Sequence, residues 1–137
     1  MAMGAAWAVQ ARGASGSQGS GIAYTGAGGA LVTGDFYGEA SFGSTSLMSR
    51  GSYDAFVMHV AASGVIDWAI QAGGTSEDRG YGIAHDGAGG ALVTGYFSGE
   101  AMFGSTSLTS RGVQDAFVMH VMTSATALHT MARAVLS

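Results

Sequence analysis

The chain contains most of itself twice, and this limits its fold more tightly than any motif within it. Residues 21–60, GIAYTGAGGALVTGDFYGEASFGSTSLMSRGSYDAFVMHV, return as residues 82–121, GIAHDGAGGALVTGYFSGEAMFGSTSLTSRGVQDAFVMHV, at an offset of 61 with 32 of 40 positions identical. A period of this length marks supersecondary units, each of which buries its apolar face only by stacking on a neighbour. The register reaches further back: WAVQARGASGSQGS from Trp7 aligns with WAIQAGGTSEDRGY from Trp68, with 7 of 14 positions matching. The expected organisation is one repeat domain over residues 1–137, with repeat one at about 7–67, repeat two at about 68–122 and a degenerate tail at 123–137.

Alternation with period 2 runs through both repeats and predicts strands. Ile66, Trp68, Ile70 and Ala72 share one face, and Asp67 and Gln71 take the other. Val93, Gly95 and Phe97 oppose Leu92, Thr94 and Tyr96, while Phe117, Met119 and Val121 oppose Val118 and His120. Asp35 stands where the second repeat has Tyr96, so the Leu92 face is expected to be wet. Gly82 to His85 makes a fourth, shorter strand, and the glycines of Asp86–Gly90 form the turn after it, supplying positive φ without steric cost. The stretch EAMFGSTSLTSRGVQ reads as a long polar loop or an extra hairpin. The expected core is Trp68, Ile70, Val93, Phe97, Phe117 and Met119 with their partners Trp7, Val9, Val32, Phe36, Phe56 and Met58. Both repeats lack helical periodicity; the fold class is all-β.

The motifs resemble a bacterial β-propeller repeat family, SBBP, with the pattern W-x-x-Q-x-G-G, G-x-x-I-A-x-D-x-x-G-x-x-x-V-T-G-x-F and F-G-x-x-x-L-x-S-x-G-x-x-D-A-F-V. The second repeat carries it in Trp68, Gly73, Gly74, Gly82, Ile83, Ala84, Asp86, Gly89, Val93, Thr94, Gly95, Phe97, Phe103, Gly104, Leu108, Asp115, Ala116, Phe117 and Val118. The first departs at Thr25, in place of the turn Asp, and at Arg12, in place of a Gly. The resemblance covers about residues 7–121. It implies two four-stranded antiparallel blades, no common catalytic activity, and a secreted or cell-surface setting. A closed propeller takes at least about four blades, so two make a partial propeller. The Trp-led strand is the fourth of a blade, and the Trp7 strand of one chain is expected to complete the 115–121 blade of the next, in a ring of about three or four chains.

Composition narrows function by exclusion. Five Arg, no Lys and nine acids leave no basic patch for nucleic acid, and no stretch reaches the length of a membrane helix. Without cysteine there is no disulfide frame, thiolate ligand or thiolate nucleophile. Residues 1–9 lack the basic start of a signal peptide. GAGGALVTG looks like a dinucleotide loop, but such a loop opens a helix and this one opens a strand. GASGS at residues 13–17 lacks the strand–turn–helix context of a nucleophile elbow. His59 and His120 occupy matching positions, yet two histidines fall short of a metal's ligand set. Asp54 and Asp115, with Glu39 and Glu100, are copied carboxylates, which suggests a recurring turn or cap, since acid–base work needs unlike groups in unlike settings. Asp86 with Glu77 and Asp78 is the nearest approach to a calcium cluster, and the first repeat has Thr25, Gly16 and Ser17 there. No catalytic, cofactor-binding or metal residue is assigned, and no cofactor is expected. Leu128, Met131, Ala132 and Val135 give residues 124–136 a helical spacing.

The expected function is therefore a non-enzymatic repeat module for binding or assembly. Its partner is itself or neighbouring repeats, and a small-molecule or glycan ligand is left open. Two alternatives stand beside it: a piece of a longer secreted or surface repeat protein, and an enzyme with its site on the axis of a completed propeller.

Overall fold

A computed structural model describes residues 2–122; the helical spacing at 124–136 lies outside them. The described residues form ten strands and no helix. They are β1 (Arg12–Gly13), β2 (Ser17–Tyr24), β3 (Ala30–Phe42), β4 (Thr45–Val60), β5 (Ile66–Gly74), β6 (Asp78–His85), β7 (Ala91–Phe97), β8 (Glu100–Phe103), β9 (Thr106–Thr109) and β10 (Asp115–Val121). Every pairing among them is antiparallel. The all-β reading holds, and EAMF and TSLT form the extra hairpin, β8–β9.

The 61-residue shift is written into the pairing register. β2 meets β3 with Ile22 opposite Val32 and a shift between Gly19 and Gly21, as β6 meets β7 with Ile83 opposite Val93 and a shift between Gly80 and Gly82. β3 meets β4 with Val32 opposite Met58, as β7 meets β10 with Val93 opposite Met119. Arg12 and Gly13 pair with Ser41 and Ala40, as Gly73 and Gly74 pair with Met102 and Ala101. Strands β2, β3 and β4 of the first repeat thus form a four-stranded meander with β5, the Trp-led strand that opens the second, and β6, β7 and β10 form a three-stranded sheet. Hairpin β8–β9 leaves the sheet of β7 and β10 to pair with β5 of the meander.

Two layers of core follow from the alternation. Leu31 and Val57 of the meander pack with Ala91, Val93, Phe97, Phe117 and Val121 of the second sheet. The meander's opposite face holds Phe36, Phe42, Phe56, Met58 and Val60, against which Trp7 and Ala11 pack. Pro-free turns rely on glycine: Gly26 and Gly28, like Gly87 and Gly89, have φ between 84° and 90°, as a hairpin turn requires. The glycine of the Val-Thr-Gly motif has a separate cause. A Cβ at Gly34 or Gly95 would overlap the carbonyl oxygen of Gln18 or Arg79, where the neighbouring strand bulges inward.

Three expectations need correction. Residues 7–11 form no strand; only Arg12–Gly13 does, because no neighbouring strand offers the preceding residues a ladder. Val9 and Ile70 are exposed rather than core, Val9 for lack of that ladder. Ile70 lies toward the edge of the meander, and no fourth strand among the described residues extends the second sheet over it. Trp7, Trp68, Val32 and Met119 are half-buried. Lastly, the face expected to be wet is dry in the first repeat, since Leu31, Thr33 and Asp35 are all buried beneath the second sheet.

Candidate functional site

Seven of the residues that differ between the repeats gather where the two sheets meet. Asp35, Tyr37 and Tyr53 of the first repeat stand at positions that hold Tyr96, Ser98 and Gln114 in the second. Glu77, Asp78, Arg79 and Tyr81 stand where the first has Gly16, Ser17, Gln18 and Ser20. β3 carries Asp35 toward β6, and Arg79 Nη1 donates to Asp35 Oδ1 at 3.0 Å. Arg79 Nε donates to Glu77 Oε1 at 2.7 Å, and the Tyr96 hydroxyl donates to the same oxygen. The guanidinium lies 4.2 Å from the centre of the Tyr53 ring, a cation–π contact. Tyr53 in turn packs on Tyr37, and Tyr81 on Tyr96, with ring centres 5.5 and 5.8 Å apart.

Electrostatics follow from this placement. Burial opposes the charge of Arg79, but its hydrogen bond to Glu77 and the charge of Asp35 outweigh that and hold it above the ordinary guanidinium range. The Tyr96 bond, then that of Arg79, lowers Glu77. Burial, then the same bond, pushes Tyr96 up to about 12. Asp35 is raised by burial against the pull of Arg79, and its Oδ2 finds no partner. Two ion pairs sharing Arg79 and flanked by aromatic rings are a positioning device, with every charged group engaged inside the cluster, though Asp35 Oδ2 has no partner.

A second cluster lies on the meander's other face. Asp54 Oδ2 accepts from the Arg50 backbone N–H at 3.2 Å and from Gln71 Nε2 at 3.0 Å. Asp115 Oδ2 accepts from the Arg111 N–H at 2.9 Å, so the copied carboxylate is a repeated turn cap. Only the first has company. A Cβ at Gly73 would lie 2.5 Å from Asp54 Oδ1 and 2.8 Å from Asp78 Oδ2, so both carboxylates flank that residue. Asp54 and Asp78 are fully buried, and Oδ1 of each is unpartnered. Burial, with Asp78 adding to it, pushes Asp54 up to about 6; burial also raises Asp78. Such a pair can hold a proton near neutral pH. Neither member reaches solvent, so neither can present it to a substrate in this conformation.

The other candidates disperse. His59 Nδ1 meets Asp67 Oδ1 at 2.6 Å and its ring stacks on Trp68, whereas His120 Nε2 meets Asp86 Oδ2 at 2.8 Å. Asp86 Oδ1 accepts from the N–H groups of Ala88 and Gly90, and the His120 bond leads the causes that lower Asp86 to about 2. Glu77, Asp78 and Asp86 thus face three different partners. Glu39 and Glu100 accept from Ser46 and Ser107 on their exposed hairpins. No group of three or more His, Cys, Asp or Glu among the described residues is arranged to hold a metal ion.

What the ends expose remains. A groove of about 370 Å³ opens between the N-terminal segment and the meander, lined by Trp7, Ala11, Val32, Phe56, Met58 and Val60 among others. At the far end of the molecule Leu92 and Val118 stand in solvent. From the sequence, Trp7, Val32, Phe56 and Met58 are expected in the core and Leu92 and Val118 on the opposite face, whereas the single-copy cluster around Arg79 is not singled out. A signal was present: Asp35 and Tyr37 differ from the second repeat two residues apart on one strand, and Tyr53, which also differs, pairs with Tyr37 across β3 and β4. Comparison with protein-family models gives no match to this chain, and comparison with curated proteins gives none either.

Proposed function

We propose that the chain is a non-enzymatic propeller-type repeat module, whose work is binding and assembly through the end faces of its stacked blades. One comparison internal to the chain carries this reading. Leu31 and Val57 are 0 % and 1 % exposed, while the same side chains one repeat later, Leu92 and Val118, are 45 % and 77 % exposed. The strand positions are identical and the register is identical. What differs is the cover: a second sheet lies over Leu31 and Val57, and β5 flanks β4, whereas β10 has β7 as its one partner among the described residues. Leaving a Leu and a Val largely in water forgoes on the order of 2–4 kcal/mol of burial, which a further unit stacked on this face recovers. The SBBP resemblance supports the same reading, since four-stranded blades stack in this manner. Asp54 and Asp78 are shut away from solvent and Arg79 is bound to Asp35 and Glu77, which favours scaffold over chemistry.

Appending a third repeat in tandem tests the module. With each unit stabilised by its neighbour, the three-repeat protein should melt higher than the two-repeat one, and amides around Val118 should gain hydrogen-exchange protection. An unchanged melting temperature with Val118 amides still open would end the stacked-module reading.

A further inference from the structure

The two ends of the molecule are complementary, and in a register the chain itself specifies. β10 pairs only with β7 among the described residues, while its counterpart β4 pairs with both β3 and β5. Residues 7–11, WAVQA, nearly repeat the WAIQA of β5 and yet pair with no strand. They are nevertheless already held where a fourth strand of a preceding unit would lie. Arg12 and Gly13 anchor the segment to β3 as Gly73 and Gly74 anchor β5 to β8. Trp7 packs partly against the Phe56 core as Trp68 packs partly against the Phe117 core. The groove beneath this segment is what Leu31 and Val57 fill one unit later.

From this we infer that a second copy of the chain completes each end, head to tail; the inference rests on the stacked-module reading above. Residues 7–11 of one copy pair with β10 of the other, with Trp7 opposite His120, Val9 opposite Val118 and Ala11 opposite Ala116. That is the β4–β5 register moved by one repeat. Leu92 and Val118 of the second copy enter the groove over Val32 and Phe56. Steric fit agrees. A Cβ at Gly80 would overlap Thr33 Oγ1 across the sheets, whereas its counterpart Gly19 has room in the single chain, with Val32 Cγ1 at 3.6 Å. Gly19 is small where only the second copy's Thr94 would press. In place of the Asp35–Arg79 ion pair the new contact brings Tyr96 opposite Gln18, so it is neutral where the contact inside the chain is charged. The contact is heterologous, and it yields a ring where the rotation closes and a filament where it does not.

The absence of cysteine makes the test direct. Full-length Val9→Cys and Val118→Cys proteins are mixed and oxidised, each also being oxidised alone. Directly opposed antiparallel residues come within disulfide reach, so the mixture should give a cross-linked heterodimer and the single variants little. Light scattering on the unmodified chain should give a multiple of its 13.7 kDa mass. Val118→Asp and Gly19→Val, both at sites open in the single chain, should each weaken association by about tenfold or more while leaving the melting curve of the dilute protein in place. A monomer at high micromolar concentration with no cross-link overturns the inference. Cross-linking of Val118→Cys with itself also overturns it, in favour of a face-to-face dimer. The tandem three-repeat protein separates the two ideas: if it is stabilised while the unmodified chain stays monomeric, stacking survives and the second copy is refuted.

Discussion

At the scale of single residues, burial decides what each side chain can be. Phe117 is buried in the core between the sheets and packs at a tilt on Phe103, with ring centres 4.8 Å apart. Phe117→Ala should cost about 3–5 kcal/mol in a denaturant titration; a loss below about 1 kcal/mol would show that the site collapses around the deletion. Asp54 is a harsher case. Burial raises its folded value to about 6 from an ordinary 3.8, so the folded state holds the proton more tightly than the unfolded state. The contribution of Asp54 to stability is therefore greatest below about pH 4 and is lost as pH rises through about 6. Asp54→Asn keeps an acceptor for the Arg50 N–H and Gln71 and adds a donor beside Asp78. It should flatten the fall in stability between pH 4 and 6 and leave the protein more stable than the parent at pH 7. Equal slopes in urea titrations across that range would show that Asp54 does not titrate there.

At the scale of elements, one difference between the repeats lies in strand continuity, and two residues stand at the break. β3 and β4 run unbroken through Tyr37 and Tyr53, which oppose each other in register and pack ring on ring. In the second repeat these positions are Ser98 and Gln114, and the same path divides into β7 with β8 and β9 with β10. A cross-strand aromatic pair contributes on the order of 0.5–1 kcal/mol, enough to close a short gap in a ladder. Ser98→Tyr with Gln114→Tyr should join the strands, seen as slowed amide exchange at residues 98–99 and 110–114. Unchanged exchange would locate the cause in the bulge rather than the side chains. The hairpin β8–β9 is free to pair with β5 in either case, since its partners Gly73 and Gly74 are set by the 61-residue register.

At the scale of the whole molecule, the ion pair between Asp35 and Arg79 selects which faces meet. Arg79→Gln leaves a buried carboxylate unpaired and should destabilise by about 3 kcal/mol, toward the low end for such a pair because Arg79 keeps part of its side chain in water. Asp35→Tyr with Arg79→Gln copies the Tyr96 and Gln18 found at the outer ends, and should recover most of that loss. A double variant no more stable than Arg79→Gln alone would mean that Asp35 matters for something other than its partner. Restoring neutrality has a second consequence. The inner and outer contacts would then be alike, and chains would exchange units more readily, in line with the loss of the charged element that distinguishes one contact from the other.

Sequence alone determined the all-β class, the strand positions within repeats, the positive-φ turn glycines and the role of Asp115 as a copied cap. Period-2 alternation and turn chemistry are local, so they can be read from neighbours a few residues apart. It also determined the unit length, because a 61-residue repeat is visible without coordinates. What it did not determine is which face of a strand is dry. Alternation divides side chains into two sets, but a meander covered on both sides buries both, as Leu31 and Phe56 show. Asp35 looked like evidence for water because a carboxylate is costly to bury. Only the fold brings Arg79, 44 residues away, to within 3.0 Å and makes the burial tolerable. The same long-range closure places Asp78 beside Asp54, sends His59 and His120 to different carboxylates, and leaves Trp7 without a strand. Each of those outcomes depends on which units are stacked together, and that is a property of the tertiary structure.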